Sequence, residues 1–395
     1  MSLPETEILT SLVSRVFRID DVTMLDPAKG PLLRYRGQLL DEDSASAYDR
    51  LADSVAPYGL TPLFRLEKGQ QVIYLTATPP AQKPANPWIN GGLFVLTVLS
   101  VMLAGATPEG PLPADPLGQI LALLSSIFSG WPFALALLGI LLSHEFGHYL
   151  VSRYHKTPAT LPYFIPLPFS PLGTMGAAIL MKGVPKNKRI LFDIGVAGPL
   201  AGMVVAVPVL LLGLSLSQPG TVEASASSFI EGNSVLYLLA KYAVFGKFLP
   251  EPVTFGGLSP LQYWLRYFFT AQPAPIGGTD VFIHPVAFAG WAGLLVTAMN
   301  LIPAGTLDGG HVVYALFGER ARKAFPYLIG FLVYLGFSWN GWWLWAALLF
   351  WLGRVNADTL DQITPLDSKR RLVAVFVLVL FLLVFTPVPF SLIQA

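Results

Sequence analysis

The chain has 395 residues, 53% of them hydrophobic and only 12% charged, with a mean hydropathy of +0.58. That charge fraction is about half the roughly 25% of an ordinary soluble domain, which excludes a wholly soluble protein. The net charge is +1 with no basic tail or patch, so no nucleic-acid partner is expected, and the lack of cysteine excludes disulfides and thiolate metal ligands.

In chain order, residues 1–78 read as a small soluble α+β domain. The opening MSLPETEILTSL is acidic and mixed, so no cleavable signal peptide is expected. PLLRYRGQLL (31–40) predicts a strand. DEDSASAYDRLADSVAPYG (41–59) predicts a helix stopped at Pro57-Tyr58-Gly59. TPLFRLEKGQQVIYLTATP (61–79) predicts two strands joined at Lys68-Gly69-Gln70. Nothing here has a catalytic pattern, and the module reads as a regulatory or docking domain, or as a folded appendage. PPAQKPANP (79–87) is a Pro-rich linker.

Residues 88–395 read as the membrane-embedded part. Apolar segments lie at about 88–106, 131–152, 190–216, 285–303, 325–338, 340–353 and 372–390, long enough or nearly so to cross a bilayer. The expected fold is therefore a polytopic α-helical membrane protein of about seven spans, with a re-entrant or irregular segment and the N-terminal α+β domain. A weaker stretch at 117–130 reads as interfacial or re-entrant. Trp339, Trp342, Trp343, Trp345 and Trp351 suggest an aromatic belt, or lipid-facing packing. With the N-terminal domain taken as cytoplasmic, thirteen Lys and Arg residues, Arg354 among them, fall on its side. Only Lys241, Lys247 and Arg266 fall opposite. That asymmetry supports this orientation, in a bacterial cell membrane or a plastid membrane.

The apolar run WPFALALLGILLS (131–143) ends in His144-Glu145-Phe146-Gly147-His148. Ionisable side chains in such a setting are rare unless functional. On a helix His144 and His148 share one face, suited to one Zn²⁺, with Glu145 beside them as general base. His155, seven residues on, shares that face but reads as interfacial. Two histidines need a third protein ligand. Asn300-Leu-Ile-Pro303-Ala-Gly-Thr-Leu307-Asp308-Gly309-Gly310-His311 offers Asp308, set after a proline break and before two glycines, with His311 as rival. Asp308 also reads as an N-cap for HVVYALFG. Asn300 suits a donor to a tetrahedral oxyanion, or equally a helix C-cap or turn brace.

These paired motifs, HExxH and NxxPxxxLDGG in separate apolar segments, resemble the site-2 protease family of intramembrane zinc metalloproteases. The resemblance implies that His144, His148 and Asp308 hold one zinc ion per chain and that Glu145 activates water. Gly173-Thr174-Met175-Gly176-Ala177 resembles the family's glycine-containing strand, which implies pairing with unwound substrate. Phe192-Asp193 through Gly198-Pro199 to Gly202 resembles the helix start that follows. His284-Pro285 through Gly290-Trp291 to Gly293 resembles the plastid-type subgroup and its bacterial relatives. About residues 88–355 are covered. Gly202 stands where many members have Asn, no PDZ-like insertion is present, and the 217–283 segment is short and partly apolar.

The implied activity is endoproteolysis of membrane-anchored proteins within the bilayer. TLPYFIPLPFSPLGTMGAAILMKG (160–183), with four prolines, cannot be one helix. Irregular backbone at membrane depth belongs where it is buried or lines a wet cavity. The rival readings are a non-enzymatic metal-binding or transport protein and a catalytically silent scaffold. Polar residues clustered at two helix ends, rather than spread along a path, favour the enzyme.

Overall fold

The structure is a computed structural model and describes residues 6–25, 32–80, 84–110, 113–223, 228–353 and 358–393. Arg354 and part of the Pro-rich linker lie outside them.

The N-terminal part comprises α1 (Thr6–Ser14), β1 (Phe17–Met24), β2 (Leu33–Leu39), α2 (Ser44–Val55), β3 (Leu60–Glu67) and β4 (Gln70–Ala77). Its four strands form one antiparallel sheet in the order β1-β2-β4-β3. Leu60, Pro62 and Phe64 alternate inward on β3, as a half-buried strand requires. Ala47, Tyr48, Leu51 and Val55 form the buried stripe of α2. The β3–β4 loop is the predicted one: Lys68 and Gly69 both take positive φ, as a two-residue hairpin with right-handed twist demands. α1 and β1 were not expected from the sequence.

Next come α3 (Pro87–Ala104), α4 (Pro116–Ser125), α5 (Trp131–Tyr154), β5 (Tyr163–Pro166), β6 (Thr174–Ala178) and α6 (Lys188–Ser215). They are followed by β7 (Gln218–Thr221), β8 (Ser228–Glu231), α7 (Val235–Phe245), α8 (Pro260–Thr270), β9 (Thr279–Phe282) and α9 (Pro285–Asn300). The chain continues through α10 (Asp308–Phe317), α11 (Glu319–Leu335), α12 (Gly341–Leu352), α13 (Ser368–Val384) and β10 (Phe390–Ile393). Every apolar segment expected from the sequence contains a helix. Three stretches, Pro87–Ala104, Ile127–Tyr154 and Lys188–Ser215, are long and apolar enough to cross a membrane; the other apolar helices are shorter. α4 has 10 residues, about 15 Å of helix, half the thickness of a bilayer core.

The helical core is α5, α6 and α9, centred on Leu137, Leu141, Phe192, Leu210, Trp291 and Leu294. Small residues bring the backbones together. A Cβ at Gly147 would lie 2.5 Å from the Ala197 carbonyl, and one at Gly213 would lie 2.1 Å from Ala287 N. This is how helices associate where no hydrophobic force separates helix from lipid. Beside the core, Trp342 is fully buried and its indole N–H donates to the Pro387 carbonyl at 2.6 Å. It is therefore packing rather than belt, whereas Trp351 is exposed.

Beyond α6, β7 pairs with β9 and β8 with β10. Fully buried Lys241 fastens this region, 3.1 Å from Asp280 and 3.4 Å from Glu231, while Tyr237 donates to Glu231. Both carboxylates offset the cost of burying the ammonium.

The N-terminal sheet is joined to the helical part by a strap, residues 359–364. Asp361 bridges in parallel to Phe64 on one side and to Asn187, the N-cap of α6, on the other. Phe64 N–H donates to the Leu360 carbonyl, and Gln362 N–H to that of Phe64. Arg65 Nη1 reaches the carbonyls of Phe64, Thr359 and Leu360 at 2.9–3.0 Å. The buried Asp361 carboxylate accepts from the N–H groups of Ile363 and Thr364 and from the Thr364 hydroxyl. Burial pushes its pKa above the ordinary value, against these bonds. We predict that Asp361→Ala leaves those donors unpaired at a cost of about 3 kcal/mol. Hydrogen exchange should then show lost amide protection at Phe64 and residues 359–364. Unchanged protection would mean that the carboxylate does not hold the strap.

Candidate metal centre

His144 and His148 lie on the last turns of α5, four residues apart and buried. Their rings meet edge to face at 4.9 Å. Asp308 is the first residue of α10, where the helix dipole favours a carboxylate. It does not cap that helix: the N-cap is Leu307, with no side-chain cap bond. The turn that delivers Asp308 is tight. A Cβ at Gly309 would sit 1.9 Å from the Leu301 carbonyl, and one at Gly310 2.5 Å from that of Gly305.

Asp308 Oδ2 lies 3.3 Å from His144 Nε2, and Oδ1 3.3 Å from His148 Nε2. The two Nε2 atoms are 3.2 Å apart. Ligand atoms 2.0–2.1 Å from a tetrahedral Zn²⁺ stand about 3.3 Å from one another, so the spacing fits that ion. The chemistry fits as well. His148 Nδ1 lies 2.7 Å from the Ile194 carbonyl and must donate to it. In the neutral ring this leaves the Nε2 lone pair facing a carboxylate and another imidazole. Such a convergence of acceptors calls for a cation, and a backbone carbonyl behind the ring is the usual support of a metal-bound histidine. These three side chains are the group able to hold a metal ion among the described residues.

His311, the rival ligand, lies outside that trio. His155 is not part of it either. Its Nε2 is 3.0 Å from Asp193, whose carboxylate also takes two bonds from Arg370 at 2.6 and 2.7 Å. This ties the end of α5 to α6 and to the start of α13.

Glu145 is buried beside the histidines and lines the same cavity as Ile179. Asn300 Nδ2 lies 3.3 Å from His144 Nε2, so the amide is turned to the cluster; the C-cap of α9 is Leu301. A cavity of about 520 Å³ opens on all of these, lined by His144, Glu145, His148, Asn300, Asp308 and His311.

β5 and β6 form an antiparallel hairpin at the cavity wall, and the other edge of β6 has no strand partner among the described residues. Of residues 173–177, Ala177 lines the cavity, and the wall continues through Ala178, Ile179, Leu180 and Met181. Gly173 instead packs on α3: its φ is +70°, and a Cβ there would meet the Ser100 carbonyl at 2.6 Å. Ser100 donates to the Gly173 carbonyl at 2.5 Å, and Asn90 to those of Leu161 and Pro162 at 2.9 Å. Thr174 is taken up inside the hairpin, bonding the Ile165 carbonyl, and Met175 is exposed.

The support that sequence reasoning missed is the glycine face of α6. A Cβ at Gly198 would lie 2.1 Å from His148 Nε2, one at Gly195 2.8 Å from His311 Cβ, and one at Gly202 3.2 Å from His144. The 3-and-4 spacing of these glycines was the available signal.

A sequence profile of peptidase family M50 matches residues 132–336, just over half of the chain. The chain is 33% identical over 246 residues to the probable zinc metalloprotease EGY1, chloroplastic, of Oryza sativa subsp. japonica, covering 59% of this chain and 38% of that protein. It is 28% identical over 403 residues to the probable zinc metalloprotease EGY2, chloroplastic, of Arabidopsis thaliana, covering 99% of this chain and 66% of that protein. The chain thus spans less than two thirds of the length of these relatives.

Gly198→Ala should displace the His148 ring and weaken zinc binding at least about tenfold. Gly202→Ala, with a looser neighbour, should stay within about threefold of wild type. Competition against a chromogenic chelator measures both, and equal affinities for the two variants would contradict the packing argument.

Proposed function

The chain belongs to peptidase family M50, the site-2 protease family, and on that premise we propose that it hydrolyses a peptide bond in a membrane-anchored protein. The observation that carries this reading is the convergence of His144, His148 and Asp308 on one cavity with Glu145, beside a strand edge that has no strand partner among the described residues.

We assign one zinc ion to His144, His148 and Asp308. When bound, it supplies Lewis acidity, polarising a carbonyl and allowing water to attack near neutral pH. Glu145 takes the proton of the attacking water and passes it to the leaving amine. Its buried position on α5 holds the carboxylate on the cavity wall. Asn300 donates through Nδ2 to the oxygen of the tetrahedral intermediate. Residues 173–177 act through the hairpin they build, and Ala177–Met181 form the edge along which an unwound substrate segment pairs.

A polar site needs shelter from lipid, and irregular backbone at such depth requires a protein-lined cavity. The bonds from Asn90 and Ser100 supply that for the 161–173 segment. We further read α9, α11, α12 and α13 as crossings beside the three longer ones, giving seven. We place the N-terminal sheet on the side that carries the basic connecting segments, in a bacterial cell membrane or a plastid membrane. Residues 1–78 stand as the soluble domain, 79–87 as linker and 88–395 as the membrane-embedded part.

Glu145→Gln should retain zinc yet lower kcat on a membrane-anchored reporter by about 10³ or more. Chelation of the wild type should abolish cleavage and added zinc should restore it. Full cleavage by zinc-loaded Glu145→Gln would sink the mechanism.

A further inference from the structure

His311 has no part in the chemistry so far, and its surroundings are costly. It is 7% exposed, and neither ring nitrogen has a hydrogen-bond partner among the described residues. A buried donor left unpaired costs about 1–3 kcal/mol, so such a group calls for an explanation.

Its position supplies one. His311 stands three residues after Asp308 on α10, one turn on and on the same face. It lines the cavity that His144, Glu145, His148, Asn300 and Asp308 line. It is not among the side chains whose donor atoms converge for a metal. Its Cβ is pressed against α6 at Gly195, where a methyl group would stand 2.8 Å away, so the ring has a fixed seat between two helices. An imidazole in its neutral form carries one N–H donor. A buried donor of fixed orientation on the wall of such a cavity is the kind of group that stabilises charge as it develops.

We propose that His311 is a further catalytic residue: its ring N–H donates to the carbonyl oxygen of the scissile peptide and holds that oxygen as it gains charge in the tetrahedral state. No proton is transferred in this step. The N–H shortens its hydrogen bond as the oxygen becomes anionic, and the bond relaxes when the carbonyl reforms. The inference rests on the proposed hydrolase reading and adds to Asn300 a second donor, approaching from α10 rather than α9. It also accounts for the orphan ring donor being tolerated, since its partner is a substrate atom.

The test uses the full zinc-loaded chain in detergent micelles: wild type, His311→Ala and His311→Gln, with thermal melts to confirm folding. The probes are zinc itself, a phosphinic peptide whose tetrahedral oxygens mimic the charged state, and acetohydroxamate, which needs only the metal. His311→Ala should keep one zinc per chain and bind acetohydroxamate within about threefold of wild type. Its affinity for the phosphinic peptide should fall about 10²–10³-fold. His311→Gln, which keeps an N–H at similar reach, should recover at least about tenfold of that loss. On a cleavable reporter, His311→Ala should lower kcat with KM little changed. Loss of zinc from His311→Ala would make the residue a ligand and overturn the proposal. Unchanged phosphinic affinity with zinc in place would make it a filler of the helix interface and overturn it equally. If zinc-loaded wild type cleaves the reporter, either of those results overturns the role of His311 alone. If zinc-loaded wild type neither cleaves nor binds the phosphinic peptide, the hydrolase reading falls and takes this proposal with it.

Discussion

A helix face without side chains lets three imidazoles stand where methyl groups would otherwise be. Gly195, Gly198 and Gly202 recur at intervals of three and four on α6, and His311, His148 and His144 rest against them in that order. The Ile194 carbonyl beside this face fixes the His148 ring. Without so close an approach, α5 and α10 would be held apart by a further atomic layer, and Asp308 would not reach both histidines at 3.3 Å. The helix packing and the candidate metal centre are thus one arrangement. Small residues draw the helices together, as they do wherever lipid supplies no hydrophobic drive, and the donors meet because the helices do.

Spacing made the two candidate histidines legible in the sequence, whereas the choice of Asp308 over His311 came from the family resemblance. Two histidines four apart share a helix face, and Pro303 with Gly309 and Gly310 marks a tight turn before Asp308. The β3–β4 hairpin was legible for a similar local reason, two turn residues at positive φ. Other features depend on distant partners and leave no local mark. The glycine at 173 advertised a special backbone, yet what it meets is α3, and the cavity wall lies further on at Ala177–Met181. His155 shares the helical spacing of the ligands but finds Asp193 and Arg370 instead. Trp342 reads as a belt residue by composition and is buried by tertiary packing. Crossing helices are harder to count than apolar segments, because several of the helices are shorter than a bilayer is thick.

Rigid and irregular backbone divide the work between them. The proposed ligands and the proposed base sit on helices, whose internal bonding fixes side-chain direction. The cavity wall opposite is a hairpin whose backbone polar groups still have capacity for a partner. Such a hairpin is tolerable at membrane depth only when something else answers its carbonyls. Asn90 and Ser100 on α3 do so, three carbonyls between them. The first long apolar helix therefore does more than fill the bundle, since it secures the hairpin backbone at 161–162 and at 173.

The strap at 359–364 has a consequence for biogenesis. Leu360 and Ile363 pack against the core of the N-terminal sheet, and the backbone around Leu360 covers its edge at Phe64. Ribosomes make roughly 5–20 residues per second, so the nearly 300 residues between Phe64 and Leu360 take on the order of tens of seconds. Throughout that interval the sheet exists with a bare edge, a surface prone to pairing with other chains. The strap closes it only after most of the helices have been made. The N-terminal sheet is thus made before the helices and completed only after most of them have been synthesised.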